Sequence, residues 1–200
     1  MFDKSHFVKT ILFLGYDSSK TKIIDSIRKL GVRVIHQDKK EIEESKFESV
    51  DLVISFGYRH LLSETIVEKY SPIINLHVSY LPFNRGSFAN FWSFYDETQS
   101  GVSIHLIDKG IDTGDILYQK KIDFDPKKMT FRETYNILLE QIEKLFLDNI
   151  SQILSLKYPL IKQSHKGTYH HSKDFPSEFR GWDENIDKEI NRLKKLRKKN

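Results

Sequence analysis

Short apolar runs alternate along the chain with segments whose apolar residues recur at helical spacing. The apolar runs cover residues 8–14, 32–36, 51–57 and 72–77, and the helix-like segments between them cover residues 22–30 and 63–70. Continuous apolar runs rich in β-branched residues, separated by helices, are typical of parallel strands buried on both faces. Because crossovers between such strands are right-handed, the pattern predicts an α/β fold with a doubly wound, mostly parallel sheet and flanking helices.

The second half of the chain continues this pattern and ends differently. Residues 90–95 read as a short aromatic helix, and residues 101–108 and 115–125 read as two strands joined by a turn rich in Gly and Asp. Thr130 and Glu133 form a capping box that opens a helix predicted to reach about residue 156, a length of about 40 Å. We therefore predict one domain over residues 1–156 and a C-terminal extension over residues 157–200.

Composition narrows the function classes. Hydrophobic residues make up 38% of the chain and charged residues 30%, which is an ordinary globular balance. The absence of cysteine excludes disulfides, thiolate catalysis and Cys-based zinc sites. No run approaches the ~18 apolar residues of a membrane span, and the first ten residues lack the pattern of a signal peptide. A cytoplasmic protein without a membrane partner is expected.

The net charge of +4 does not indicate nucleic-acid binding, because the charge is concentrated at one end. Seven Lys/Arg and two Asp/Glu lie in the last fifteen residues, so the rest of the chain carries a net charge of about −1. A basic tail of this kind is typical of a solvated helix end. We expect no nucleic-acid partner.

Several other motifs fall short of a recognised site. The segment 15–21, GYDSSKT, lacks the second glycine of a phosphate-binding P-loop, and the chain has no G-x-G-x-x-G. His165, His170 and His171 cluster, but no carboxylate or Cys accompanies them in a metal-binding pattern, so no metal is predicted. His105 lies in an alternating strand and reads as a histidine satisfied within the fold.

Polar side chains at the exits of predicted strands form a candidate site. Asn75 and His77 follow a buried strand at positions i and i+2, so their side chains point the same way. Asp112 lies in the loop after the next long strand. Ligands of such sheets bind beyond the carboxyl ends of the strands. An amide donor, an imidazole and a carboxylate together suggest acyl transfer.

Two motifs closely resemble the folate-dependent formyltransferases. They are NLHVSYLPFNRG at residues 75–86 and GVSIHLIDKGIDTGDILYQKKI at residues 101–122, which match the family patterns N-x-H-x-S-x-L-P and D-x-G-x-D-x-G. The resemblance covers about residues 8–150. It implies a formyltransferase-type Rossmann-like fold, catalytic roles for Asn75, His77 and Asp112, and N10-formyltetrahydrofolate as formyl donor. It also implies cofactor contacts from two segments: Phe56, Gly57, Tyr58, Arg59, His60, Leu61, Leu62, Asp108, Gly110 and Ile111.

The chemistry implied by that resemblance suits these side chains. Asn75 and a protonated His77 would hydrogen-bond to the carbonyl oxygen of the formyl group as it gains negative charge. Asp112 is expected to raise the pKa of His77 above its reference value of ~6.5.

A further resemblance indicates which class of amine accepts the formyl group. Residues 79–98 and 167–175 resemble segments of bacterial nucleotide-linked amino-sugar N-formyltransferases. The expected acceptor is therefore a dTDP-linked 3- or 4-amino-dideoxy sugar for a surface polysaccharide such as the lipopolysaccharide O-antigen. The expected substrate contacts are Ser79, Tyr80, Asn84, Arg85, Tyr169, His170 and Lys173.

Alternatives to an amino-sugar enzyme stay open at this point. One is another amine formyltransferase of the glycinamide ribonucleotide type, although residues 15–20 lack that group's phosphate-binding loop. The other is a non-catalytic nucleotide- or RNA-binding module. The tail is too short for the second domain of the methionyl-tRNA enzymes. A homodimer formed through the C-terminal region is also expected.

Overall fold

The computed structural model describes residues 7–70, 72–163 and 166–198. Eight strands and seven α-helices alternate along these residues, with one 3-10 turn at Ser172–Asp174. In chain order they are β1 (Thr10–Gly15), α1 (Ile23–Lys29), β2 (Arg33–Gln37), α2 (Ser45–Glu48), β3 (Leu52–Phe56), α3 (Glu64–Lys69), β4 (Ile73–His77), β5 (Arg85–Gly86), α4 (Ala89–Tyr95), β6 (Gly101–Leu106), β7 (Ile116–Lys121), α5 (Phe131–Asp148), α6 (Ile150–Leu154), β8 (Tyr169–His170) and α7 (Ile186–Arg197).

Six strands form the main sheet in the order β2-β1-β3-β4-β6-β7. The first four are parallel, whereas β6 runs antiparallel to β4 and β7 runs antiparallel to β6. The predicted mostly parallel α/β sheet is therefore confirmed. The inner strands are buried on both faces, which explains why β3 is a continuous apolar run rather than an alternating one. β5 and β8 pair separately as a small parallel sheet.

Buried apolar side chains cover both faces of the main sheet. On one face, Phe13 and Ile54 pack with α1 and α5; on the other, Leu14 belongs to a cluster that includes Phe47 of α2. A further group joins α4, α5 and α7, and its buried members are Phe91, Trp92, Phe131, Ile186, Ile190 and Leu193. The basic α7 therefore buries its apolar face against the domain and leaves its lysines outward, as amphipathic helices do.

The predicted long helix is shorter than expected. α5 ends at Asp148, and α6 begins at Ile150, so the helix predicted to reach about residue 156 is divided in two. Asn149 causes the break, because its backbone leaves the helical region and its side chain donates to the carbonyl of Leu145 at 2.8 Å. The 18 residues of α5 span about 27 Å.

The C-terminal extension contacts the domain from the start of its course. Ile161 and Ile116 exchange two backbone hydrogen bonds of 2.8 and 2.9 Å, so the extension runs alongside the edge strand β7. The boundary between residues 156 and 157 stays a prediction. No helix in the described part of the chain is long and apolar enough to cross a membrane.

The capping box predicted for α5 is present and gives a test of the fold. Thr130 Oγ1 accepts from the backbone of Glu133 at 3.2 Å, and Glu133 Oε2 accepts from the backbone of Thr130 at 2.8 Å. Thr130→Ala should lower the free energy of unfolding by about 1 kcal/mol, since it leaves helix donors unpaired. Urea denaturation measures this loss. Thr65→Ala, an exposed position within α3, is the control; an equal effect of both substitutions would contradict the prediction.

Candidate active site

The end of β4 carries two of the three predicted catalytic residues. Asn75 and His77 project to the same side because strand side chains alternate. In the register of the sheet, Asn75 lies opposite Ser55 of β3 and His105 of β6. Asp112 comes from the turn between β6 and β7 and adopts a left-handed backbone with φ of 52°.

The structure brings Asn75, His77 and Asp112 together as predicted from the sequence. Asn75 Nδ2 donates to Asp112 Oδ1 at 3.4 Å, and His77 Nε2 lies 3.6 Å from Asp112 Oδ2. The backbone of Gly86 donates to the same Oδ2 at 2.8 Å. His77 Nε2 is buried and has no hydrogen-bond partner in the structure. Three chemically different groups therefore meet around one carboxylate.

His105 is a fourth member of this group, which sequence reasoning missed. Its side chain is only 1% exposed, and its Nδ1 lies 2.7 Å from the carbonyl of Leu106. Its Nε2 lies 3.2 Å from Asn75 Nδ2 and 3.4 Å from Asp112 Oδ1. Because Nδ1 donates to that carbonyl, Nε2 can accept from Asn75 when the ring is neutral or donate to Asp112 when the ring is protonated. The available signal was a histidine in the strand that pairs with β4, but the register that aligns it with Asn75 is not visible in the sequence.

Burial and neighbouring charges shift the pKa values of Asp112 and His77. Burial alone would raise the pKa of Asp112, but His77, His105 and the Gly86 N–H together hold it well below its ordinary range. Burial lowers the pKa of His77, and the nearby Asp112 carboxylate only partly opposes that effect. Asp112 raises the pKa of His77 as expected, but desolvation of the imidazolium outweighs this counter-charge, so the expected net rise above the reference value is wrong. At neutral pH the site holds a carboxylate and a neutral imidazole.

A cavity of about 550 Å³ opens onto Asn75 and His77. Eight of its twenty lining residues are Phe, Tyr or Trp, and Arg59 and Arg132 are its cationic members. Asp183 holds Arg132 by a two-point ion pair at 2.5 and 2.9 Å. The lining residues are Tyr16, Phe56, Gly57, Tyr58, Arg59, Asn75, Leu76, His77, Val78, Gly86, Phe88, Ala89, Asn90, Phe91, Phe131, Arg132, Tyr135, Asn136, Leu139 and Trp182.

The residues expected to bind the cofactor divide into two groups. Phe56, Gly57, Tyr58 and Arg59 line the cavity, whereas the remaining six lie on loops after β3 and β6: His60, Leu61, Leu62, Asp108, Gly110 and Ile111.

The two loops after β3 and β6 present apolar side chains to solvent. Leu61 is 83% exposed and Ile111 is 39% exposed, which suits contact with a flat, largely apolar ring system. Asp108 shapes its own loop, since it accepts from Gly110 N at 3.0 Å and from Thr113 Oγ1 at 2.6 Å.

None of the seven residues expected to bind the acceptor lines the cavity. Ser79 donates to the carbonyl of Phe83 at 2.6 Å, and the buried Asn84 donates to Thr98 at 2.8 Å, so both shape the loop after β4. Tyr80 packs against Gly101, and Arg85 lies in β5.

Three of the residues expected to bind the acceptor, Tyr169, His170 and Lys173, lie in the C-terminal extension. The side chain of His170 contacts two other residues of the protein. Its ring stacks flat on Trp92 at a centroid distance of 3.8 Å, and its Nε2 lies 2.6 Å from Asp96 Oδ2. Tyr169 is half exposed on β8, and Lys173 lies on the exposed 3-10 turn. Substrate contacts by these seven residues stay a prediction.

Several lining residues were missed by sequence reasoning. Tyr16 follows β1, Phe88 precedes α4, and Trp182 lies in the C-terminal extension. Tyr135 lies on α5, and its hydroxyl lies 3.4 Å from that of Tyr16, so one side of this helix forms part of the cavity wall.

No group of three His, Asp or Glu side chains suited to a metal ion occurs among residues 7–70, 72–163 and 166–198. His165, one of the three clustered histidines, lies outside the described residues.

The proton distribution predicts how His77 titrates. Its pKa should lie below the ordinary value of 6.5, and Asp112→Asn should lower it further by removing the counter-charge. Ring carbon signals followed by NMR across pH measure both values. Asp148→Asn, which neutralises an exposed carboxylate at the end of α5, is the matched control and should leave the His77 titration unchanged. A pKa above 6.5 in the unsubstituted protein would contradict this account.

Comparisons with known proteins agree with this geometry. The family model described as formyl transferase matches residues 19–150. The chain is similar to the crystal structure of the formyltransferase PseJ from Anoxybacillus kamchatkensis in complex with UDP-4,6-dideoxy-4-formamido-L-AltNAc and tetrahydrofolate. That match has 36% identity and a TM-score of 0.84, and covers 90% of this chain and 96% of the other.

Two curated relatives match over shorter ranges. Methionyl-tRNA formyltransferase of Clostridium novyi is 35% identical over 66% of this chain. Phosphoribosylglycinamide formyltransferase of Bacillus subtilis is 32% identical over 58% of it. The chain spans only 43% and 60% of the length of these two relatives. The match of the family model over most of the chain, on a fold and a site that fit it, shows that this protein belongs to the formyl transferase family.

Proposed function

We propose that the protein transfers a formyl group from N10-formyltetrahydrofolate to the amine of a nucleotide-linked amino sugar. The observation that carries this proposal is the convergence of Asn75, His77 and Asp112 beside a cavity that Asn75 and His77 line. Support comes from the 36% identical PseJ structure, which contains a formylated nucleotide sugar together with tetrahydrofolate.

The donor fits the two loops that flank the catalytic residues. Phe56 to Arg59 and the exposed Leu61 lie on one side, and the loop from Asp108 to Asp112 lies on the other. Lys109 of that second loop forms an ion pair with Glu68 of α3, so the two loops belong to one edge of the sheet. N10-formyltetrahydrofolate would supply an activated formyl carbon bonded to nitrogen.

The side chains of this site would stabilise the negative charge that develops during transfer and would accept a proton. Asn75 Nδ2 can donate to a carbonyl oxygen as that oxygen gains negative charge by exchanging its long 3.4 Å contact with Asp112 for that oxygen. His105 orients this amide. His77 Nε2 is neutral and unpaired, so it can accept the proton that an attacking amine loses. The Asp112 carboxylate would stabilise the imidazolium that forms, and the imidazolium would then give this proton to N10 of the donor as the bond between N10 and the formyl carbon breaks.

The cavity suits a nucleotide sugar in both size and lining. Its volume falls within the range of ~300–1,000 Å³ typical of small-molecule sites. Phe88 and Trp182 offer aromatic faces for a base, and Arg59 offers a cation for phosphate. The dTDP-linked acceptor expected from the sequence stays a prediction. The PseJ structure contains a UDP-linked sugar formylated at position 4, which favours UDP and a 4-amino group.

A formyl-transfer assay tests the proposal. The protein is mixed with N10-formyltetrahydrofolate and UDP- or dTDP-linked 3- and 4-amino sugars, and mass spectrometry detects the formylated product. Glycinamide ribonucleotide and methionyl-tRNA are included because the curated relatives carry those activities in their names. We expect turnover of a 4-amino sugar. Asn75→Ala and His77→Ala should each lower kcat by about 10²–10³.

His171→Ala is the matched control, because His171 is an exposed residue that caps the 3-10 turn and does not line the cavity. It should retain full activity. Turnover confined to glycinamide ribonucleotide or methionyl-tRNA would replace the proposed acceptor. Full activity of His77→Ala would remove His77 from the mechanism.

We also propose a homodimer that forms through the C-terminal region. Leu156, Leu160 and Ile161 are 41%, 54% and 58% exposed, and they lie close in sequence at the start of the extension. Light scattering should give twice the chain mass, and Leu160→Glu should shift the protein toward monomer. Leu30→Glu, at an equally exposed leucine beside α1, is the control. A monomer at all concentrations would contradict the dimer.

A cytoplasmic location and a surface-polysaccharide product remain predictions from the sequence.

A further inference from the structure

We infer that a segment of the C-terminal extension completes the catalytic site, and that Gln163 is the positioning residue for Asp112. We call Gln163 and residues 166–170 the positioning segment. The inference rests on the proposed role of Asp112. It goes beyond it because the positioning segment lies outside residues 19–150, which the family model covers.

Gln163 binds the backbone on both sides of the turn that presents Asp112. Its Nε2 donates to the carbonyl of Asp112 at 2.9 Å and to the carbonyl of Gly114 at 2.8 Å. Asp112 needs this support, since a left-handed backbone is unfavourable for a residue with a Cβ. Such a conformation persists only where its surroundings hold it.

The rest of the positioning segment holds the opposite side of the carboxylate. Thr168 accepts from Arg85 N through its carbonyl at 3.0 Å and from Asn84 N through Oγ1 at 2.7 Å, and the carbonyl of His170 accepts from Ser87 N at 3.0 Å. Gly86 lies between these bonded residues, and its N–H donates to Asp112 Oδ2. The segment therefore fixes Asp112 through its own carbonyl and through its side-chain oxygen.

The positioning segment is itself held tightly against the domain. The ring of His170 stacks on Trp92 and approaches Asp96 at 2.6 Å. A Cβ at Gly167 would lie 1.6 Å from the carbonyl oxygen of Pro82, so only glycine fits at this approach to the loop after β4. A rigid support of this kind can set the position of Asp112 to within the tolerance that catalysis needs.

Gln163 does not line the cavity, and this separates its role from substrate binding. Its loss should change the placement of Asp112 relative to His77 without removing a substrate contact. A misplacement of ~1 Å in a catalytic group can cost about 10² in rate. The expected effect therefore falls on kcat rather than on KM.

Gln163→Leu tests the inference in the full chain, with Gln152→Leu on the exposed face of α6 as the matched control. For Gln163→Leu we expect kcat to fall by about 10–100-fold, as when other groups that orient a catalytic residue are removed, with both KM values within about twofold. Gln152→Leu should have the same kcat and the same KM values as the unsubstituted protein.

His77 provides a second readout that a merely structural role would not move. The charged and polar groups that act on its ring are Asp112, His105 and the backbone of Asn84. When Gln163→Leu lets Asp112 move away, the counter-charge weakens, so the NMR titration of His77 should shift to lower pH. Gln152→Leu should leave that titration unchanged.

The outcomes separate this inference from the function on which it rests. Full turnover in Asp112→Asn would overturn the proposed role of Asp112. An inactive Asp112→Asn combined with an unchanged kcat, or an unchanged His77 titration, in Gln163→Leu would overturn only the inference. If Gln163→Leu does not fold, Gln163→Asn replaces it, because its shorter amide cannot reach both carbonyls and should lower kcat in the same way.

Discussion

The buried carboxylate of Asp112 is the interaction on which the rest of the site depends. A buried charge is costly unless hydrogen bonds and opposite partial charges surround it. Here the partners come from separate parts of the chain: Asn75 and His77 of β4, Gly86 of β5 and His105 of β6. Gln163 of the C-terminal extension holds the backbone of the turn that carries the carboxylate. Satisfying this one group therefore fixes the relative positions of three strands and a turn. The left-handed backbone of Asp112 is the local cost of bringing its side chain into that position.

The same carboxylate determines what His77 can do. A histidine buried this deeply is neutral at pH 7, because desolvation disfavours the imidazolium. A permanently protonated imidazole would be a better hydrogen-bond donor, but it could not accept a proton. A neutral imidazole beside a carboxylate can accept one, and the charge that forms is stabilised at once. The depressed pKa of Asp112 ensures that this carboxylate is ionised whenever His77 takes up a proton.

The sequence predicted the features that depend on local pattern. Apolar runs located the parallel strands, and the i, i+2 spacing placed Asn75 and His77 on one side of β4. The break of α5 was not predicted, since an Asn within a helical pattern can also point its side chain to solvent and leave the helix intact.

The predictions that failed concern features that depend on strand pairing and on the burial of side chains. His105 reaches the site only through the antiparallel register of β4 and β6, and the pKa of His77 depends on a burial that no motif records. The cavity wall combines Tyr16, Tyr135 and Trp182, which are far apart in sequence, so neighbouring loop residues were expected to bind substrate instead.

The catalytic groups and the cavity wall come from different parts of the chain, and this suggests how one chemistry can serve different acceptors. All three proposed catalytic residues lie within residues 19–150, the range that the formyl transferase family model matches. Trp182 and the positioning segment lie beyond it. The cavity can therefore be reshaped by the extension without moving the strand ends that carry Asn75 and His77. The extension is not free to vary throughout, however, because the segment that holds the Asp112 turn must keep its hydrogen bonds whichever amine is formylated.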